Sequence, residues 1–329
     1  MLDQMDAAAS EYGAIPKHLL VFNPEGWGSL EGVTTPEHLV THNFLGFPDP
    51  SALYEEHGKM TGVITEVGHS NTQVIDLADL IGEDPKFQQE AQTNPNLFFT
   101  RDSIAWSSPS LSELVVVSAM GLPARQNEPG VVAKGLEKLG YEPYQLTLPD
   151  GATIEGGDVI PLSVDGQSFT LVGIGERTSM EAAMSLAKEL PTKVIAIHHP
   201  EAVLHLDTGL CVYPGAAVVA EGMFEQATLL NANGKPDKEL DLYKTLDQWG
   251  FEIVTVSQQA AIDDEVCNVA PFGDGVFVGF DAMEKALTTN GQLLAKHIVD
   301  LTGVDLHTIS GEEMAKTTGG VHCSTHQLY

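Results

Sequence analysis

Short apolar runs rich in β-branched and aromatic residues alternate with amphipathic stretches from end to end of this chain, and nothing else in it constrains the fold as strongly. The runs His18–Phe22, Leu97–Thr100, Leu114–Ser118, Phe169–Ile174, Val194–Ile197, Ala217–Ala220, Ile253–Val256, Val276–Phe280 and Val304–His307 predict strands. Between them, Leu53–Val67, Glu128–Leu139, Ser179–Leu190, Lys235–Trp249, Ala282–Leu287 and Gln292–Leu301 predict helices, the first interrupted by Gly58 and Gly62. Thr178 or Ser179 can cap the third of these, and Pro191 follows its end. Asp165-Gly166 and Asp274-Gly275 sit between apolar runs, which is hairpin chemistry. Each unit therefore reads as two strands, a helix and a further strand. Repetition of such a unit argues for radial or solenoid assembly in an α/β chain. A doubly wound nucleotide fold competes, but neither GxGxxG nor GxxxxGK[ST] follows any of the strands.

The charge narrows the partners. With 46 acidic against 16 basic residues the formal charge is -30. Such a surface repels nucleic-acid phosphates and anionic lipid headgroups, so neither nucleic acid nor membrane is expected as a partner. Solubility, adaptation to high salt and attraction of a small cation all agree with it. Cys211, Cys267 and Cys323 form neither an even framework nor a CxxC pair, which predicts a reducing compartment and no structural zinc. Met1–Ser10 lacks the basic start and apolar run of a signal peptide. The longest apolar stretch, Leu210–Ala220, is too short for a membrane span. A cytoplasmic location follows as the expectation, with residues 1–329 as one catalytic domain.

Four segments place polar residues in otherwise apolar surroundings. They are Pro95–Asp102, Thr153–Asp158, Leu204–Thr208 and Thr317–His326. In the third, strand periodicity would put His205 and Asp207 on one face; a half-exposed strand with polar residues facing water would look the same. Cys323 follows Gly319-Gly320, which permit positive φ or close approach of the backbone. Its neighbours His322 and His326 could favour the thiolate, so Cys323 reads as a nucleophile or a spectator. A zinc site from His322, Cys323 and His326 lacks a fourth ligand and the usual spacing. Cys211 and Cys267 sit in apolar settings and read as packing.

Taken in chain order, Phe99-Thr100-Arg101-Asp102, Glu155-Gly156-Gly157-Asp158, His205-Leu206-Asp207-Thr208 and Gly319-Gly320-Val321-His322-Cys323 resemble the guanidino-group-modifying enzymes of the pentein superfamily. Within it the sequence is most similar to arginine deiminase, whose FTRD, EGGD and HLDT segments stand here unaltered. Gly175–Ser179 is similar to that family's SERTS segment. The resemblance implies a five-bladed α/β-propeller of ββαβ modules around a central channel. Two departures stand out: the family's additional helical insertion is missing, and Val321–Thr325 looks more like dimethylarginine hydrolases and agmatine deiminases.

The resemblance also implies roles. A guanidinium is a delocalised cation with a pKa of about 12.5–13.8, so its carbon is a poor electrophile. Asp102 and Asp207 would localise its charge through paired hydrogen bonds. Cys323 would attack the carbon to give a covalent S-linked amidine, and His205 would serve as general acid and then base. Glu155 would orient His205 and keep it charged. Arg177, Asn96 and, with less local agreement in spacing, Arg125 would hold the amino-acid end of the substrate, which favours arginine over agmatine. No cofactor or metal is expected. The partner is a small cationic guanidino substrate, and a homo-oligomer is left open. Dimethylarginine hydrolysis and amidinotransfer are the competing reactions. A non-catalytic pentein binding module is the competitor from a different class.

Overall fold

The computed structural model describes residues 13–111, 113–224 and 226–329; the Met1–Ser10 stretch read above lies outside them. Numbered in chain order, the strands fall into five small sheets among the described residues. β1 (His18–Val21) runs parallel to β2 (Gln73–Asp76) and antiparallel to β17 (His326–Leu328), which brings the two ends of the chain into one sheet. β3 (Ile104–Ser107), β4 (Leu114–Val117) and β5 (Glu142–Gln145) form the second sheet. The third holds β6 (Val159–Val164), β7 (Gln167–Ile174) and β8 (Lys193–His198), extended by the hairpin of β11 (Gln226–Leu230) and β12 (Pro236–Asp241). β9 (Leu210–Tyr213), β10 (Ala216–Ala220) and β13 (Glu252–Val256) form the fourth. β14 (Ala270–Pro271), β15 (Val276–Phe280) and β16 (Asp305–Ile309) form the fifth.

All five share one plan. The first two strands are antiparallel, and the third runs parallel to the second. A parallel neighbour needs a crossover, and a helix supplies it each time. The crossing helices are Pro50–Val67, Glu128–Leu139, Met180–Glu189, Leu242–Gln248 and Leu294–Thr302. Their apolar faces pack on the sheets in three buried clusters. Local chemistry agrees with the plan. Asp165 (φ 50) with Gly166 (φ 71), and Asp274 (φ 50) with Gly275 (φ 76), close two of the hairpins in the left-handed conformation that such turns require. Ser179, the N-cap of Met180–Glu189, accepts the Ala182 amide.

Two expectations are corrected. Within Lys235–Trp249 the helix begins only at Leu242, because Pro236–Asp241 is an exposed edge strand whose backbone finds its partner in β11. Leu97–Thr100 is not a strand: these residues form hydrogen-bonded turns, and their side chains are buried without a sheet ladder. Apolar content marked the burial correctly and the backbone wrongly.

The repeated plan has a consequence for chemistry. Each polar segment singled out from the sequence leads into the first strand of a module: Asp102 precedes β3, Glu155 and Asp158 precede β6, His205 and Asp207 precede β9, and Cys323 precedes β17. Backbone bonds stitch these lead-in segments together. The Arg101 amide donates to the Cys323 carbonyl at 3.1 Å, and the Gly156 amide to the Asp102 carbonyl at 3.1 Å.

Candidate active site

His205 does not lie on a strand. It caps the short helix Leu206–Gly209, and a turn rather than strand alternation aims its ring inward. Asp158 fixes that turn by accepting the Leu206 amide at 2.9 Å, with His199 Nε2 on the same oxygen at 3.2 Å. The imidazole of His205 is enclosed between two carboxylates: Nε2 lies 2.8 Å from Glu155 Oε2, and Nδ1 lies 3.5 Å from Asp102 Oδ1. Gly157 is where the backbone passes this ring. A Cβ there would stand 2.6 Å from His205 Nδ1 and 2.9 Å from Asp102 Oδ1, so glycine is demanded by close approach.

Burial alone would drive the imidazole toward its neutral form. The Asp102 charge and the Glu155 hydrogen bond outweigh it and carry His205 up to about 10. Glu155 answers in the opposite sense. Burial would raise it, but His205 and Arg177 bring it down to about 2. Its carboxylate is fully satisfied, accepting the Gly121 amide at 2.8 Å on Oε1 and Arg177 Nη1 at 3.1 Å on Oε2.

Cys323 is buried, and its thiol is pushed well up, first by burial and then by the charges of Asp207, Asp102 and Glu265. Sγ lies 3.7 Å from Asp207 Oδ2, the oxygen that His322 Nδ1 also meets at 2.8 Å. The glycines before it serve close approach, not positive φ: a Cβ on Gly319 would meet the Phe99 ring at 2.5 Å, and one on Gly320 the Asn268 Oδ1 at 2.7 Å. Among the described residues, Asp102 Oδ1 and Asp207 Oδ1 are buried without a hydrogen-bond partner, Asp102 Oδ1 having only the ionic contact with His205 at 3.5 Å. Such orphaned carboxylate oxygens are costly unless a ligand supplies the donors. Asp102, Glu155 and His205 also offer ligand atoms within 4.8 Å of one another, but the imidazole is charged and Arg125 and Arg177 compensate the two carboxylates.

The residues expected at the amino-acid end are placed less uniformly. Arg177 is beside the site, on Glu155. Arg125 departs from the expectation: its guanidinium is buried and spent on the protein, with Nη1 on Asp102 Oδ2 at 2.7 Å and a fork to Glu128 at 2.7 and 2.8 Å. It holds Asp102 rather than reaching outward. Asn96 is buried too, and its side chain meets His42, Oδ1 with Nδ1 at 3.1 Å and Nδ2 with the carbonyl at 3.0 Å. His42 ends the helix Pro36–His42, so that helix comes against Asn96. His326 turns away to Ser107 Oγ at 3.0 Å, which disperses the His-Cys-His set weighed as a zinc site. Cys211 and Cys267 are buried in an apolar cluster, as read.

Three buried polar residues, two beside the thiol and one behind Arg125, were not singled out from the sequence. Asn268 Nδ2 stands 2.9 Å from Cys323 Sγ. Glu265 is buried with neither carboxyl oxygen bonded among the described residues, and burial pushes it well up. Glu128 anchors Arg125. The signal that could have found the first two is position: they lead into β14, as the recognised segments lead into β3, β6, β9 and β17.

The fold and the sequence are shared with known proteins. The profile of the family described as arginine deiminase matches residues 76–329. Arginine deiminase of Rhodococcus erythropolis is 26% identical over 260 residues, covering 70% of this chain and 58% of that protein. That of Lactococcus lactis is 25% identical over 281 residues, covering 77% and 66%. The chain thus spans little more than half the length of the Rhodococcus relative. The N-terminal domain of ArgZ, an arginine dihydrolase of cyanobacteria solved with its substrate, superimposes with a TM-score of 0.67 at 18% identity, covering 94% of this chain and 97% of that one. DDAH from Pseudomonas aeruginosa, complexed with citrulline, gives 0.62 at 16% identity over 95% and 99%. These structural likenesses establish a shared fold.

Proposed function

The chain belongs to the arginine deiminase family, and on that footing we propose that it hydrolyses the guanidino group of L-arginine to L-citrulline and ammonia. The observation that carries this reading is the pair of orphaned oxygens, Asp102 Oδ1 and Asp207 Oδ1, buried beside a thiol and a charged imidazole. A planar cation with N–H donors on two edges answers both deficits together, in the geometry that favours guanidinium–carboxylate pairing.

The chemistry then follows from the residues. Carboxylates on either side fix the guanidinium and localise its charge, so its carbon becomes a better electrophile. The empty site disfavours a thiolate, since burial and three carboxylates act against it; a bound cation removes that opposition, and the thiol proton passes to solvent as it binds. Cys323 Sγ attacks, forming a C–S bond and a tetrahedral adduct. The adduct collapses as a C–N bond breaks, and His205 gives its proton to the departing ammonia. Water adds to the S-linked amidine as His205 takes one of its protons, and the C–S bond breaks to leave the ureido product, its electron pair returning to sulfur and the second water proton leaving to solvent. Glu155 keeps the imidazole in line and charged for the first half. Arg125 holds Asp102, and Arg177 is the cation available to the α-carboxylate of an amino-acid substrate.

Asp207 weighs against dimethylarginine as substrate, because methylation removes N–H donors that a second carboxylate wants. The test is to incubate the purified protein with arginine, agmatine and dimethylarginine, and to quantify ureido product and released amine. Citrulline and ammonia in equal amounts, with no added amine, are expected from arginine. Ornithine with two ammonia per arginine would assign the dihydrolase reaction instead, and no turnover of any of the three would overturn the reading.

A further inference from the structure

Cys323 lies in surroundings hostile to an anion, with Asp207 Oδ2 3.7 Å from its sulfur and the charges of Asp102 and Glu265 acting on it as well. One neighbour has the opposite polarity. Asn268, fully buried in the turn before β14, points its amide nitrogen at Sγ from 2.9 Å. We propose that Asn268 is a catalytic residue, whose amide N–H holds the Cys323 sulfur as a thiolate before attack and meets its charge again when the C–S bond breaks. This rests on the reading of Cys323 as the nucleophile.

The orientation of the amide is set by the backbone. Asn268 Oδ1 accepts the Cys323 amide at 3.1 Å, so the oxygen must face that N–H and the nitrogen must face the sulfur. A flipped amide would set donor against donor. The two contacts clamp one residue at two points, which fixes the thiol in the plane of the donor before any substrate arrives. The surrounding loops are shaped to allow it. Gly320 leaves the space that Asn268 Oδ1 occupies, and the Asn268 amide is tied back to the Glu265 carbonyl at 2.9 Å. Glu265 holds this turn in a left-handed conformation, φ 52, which a bulky residue adopts only under constraint.

The chemistry needs such a donor twice. In the resting site the thiol can donate to Asp207 and accept from Asn268. When a guanidinium neutralises the carboxylates of Asp207 and Asp102, the thiol proton passes to solvent, and the Asn268 N–H stays on the sulfur that now carries the charge. After water has added to the S-linked amidine, the C–S bond breaks, its electron pair returns to sulfur, and the same N–H receives it. A preorganised amide dipole does this without reorganisation, in a buried site where it counts for more than in water.

The test is the alkylation rate of Cys323 by iodoacetamide at fixed pH, followed on the Cys323 peptide by mass spectrometry. Asn268→Asp keeps the shape and the acceptor for the Cys323 amide, but replaces the donor by a carboxylate. The rate is expected to fall at least tenfold. If that variant does not fold, as judged by its thermal transition, Asn268→Ala reads the same rate without added charge. A folded variant that alkylates at the wild-type rate overturns the proposal, as does a wild-type thiol that does not alkylate at all. The reaction needs no guanidino substrate, so the two readings fail separately: slowed alkylation in a protein that makes no citrulline removes only the function, and unchanged alkylation in one that does removes only the role of Asn268.

Discussion

Glu155 Oε2 lies 2.8 Å from His205 Nε2, and the two groups move each other in opposite directions, the imidazole up to about 10 and the carboxylate down to about 2. The pair is therefore charged across the whole physiological range. Glu155→Gln removes one of the carboxylates that sustain the imidazolium, so His205 falls toward its ordinary value. The alkaline limb of citrulline formation is expected to shift to lower pH, with kcat/KM lower by about 10²–10⁴. A pH profile whose alkaline limb stays in place would remove Glu155 from this role. Stability follows the same linkage. The His205 contribution is complete below its ordinary 6.5 and is lost as pH rises through about 10. The Glu155 contribution is complete above its ordinary 4.5 and is lost as pH falls through about 2.

Arg125 neutralises two buried carboxylates, Asp102 and Glu128, at 2.7 Å each. Removing one partner of a buried ionic group leaves charge without compensation, at a cost of about 3–5 kcal/mol. Arg125→Ala should lose stability on that scale in urea denaturation. Arg125→Lys should recover only part of it, because an ammonium cannot fork across both carboxylates. An Arg125→Ala protein as stable as wild type would mean that the guanidinium is not what holds Asp102.

Much of the site was readable because its chemistry is concentrated in turns. Glu155-Gly156-Gly157-Asp158 and Gly319-Gly320 are legible together, since a ring, a side-chain amide or, at Gly156, a backbone carbonyl occupies the space a Cβ would need and the sequence records this as glycine. Asn268 has no such mark. It is a single polar residue beside Cys267, and its partner lies 55 positions away. Arg125 was legible through the family resemblance but not in its direction, because nothing local in the sequence specifies that Asp102 and Glu128 converge on it. The edge strand Pro236–Asp241 was hidden for a related reason: it has no buried residue, and its pairing with β11, not its own pattern, makes it a strand.

The acidic surface makes a separate prediction. Of 46 acidic residues, eight are in the buried set of described residues, so most face water and repel one another. The Debye length shrinks from about 10 Å at 0.1 M salt to about 3 Å at 1 M. Raising NaCl across that range should therefore stabilise the protein. A gain of about 1–2 kcal/mol would raise Tm by roughly 1–3 °C. A Tm that is flat or falling over this range would show that the charges are already compensated.

Arg177 lies beside the proposed reaction centre through a single nitrogen, Nη1, on Glu155. If it also receives the α-carboxylate, two consequences of Arg177→Gln separate cleanly. Disturbing Glu155 lowers turnover of every guanidino substrate alike, because the imidazole is common to all of them. Losing the carboxylate partner weakens arginine alone. A hydrogen bond to a charged group contributes about 1.5–3 kcal/mol, so KM for arginine should rise roughly 10–100-fold. Agmatine has no carboxylate, and its KM should stay near the wild-type value while its kcat falls with that of arginine. The measurement is the ratio of the two KM values in wild type and variant. A ratio that does not change assigns Arg177 to Glu155 only, and the amino-acid end of the substrate to some other group.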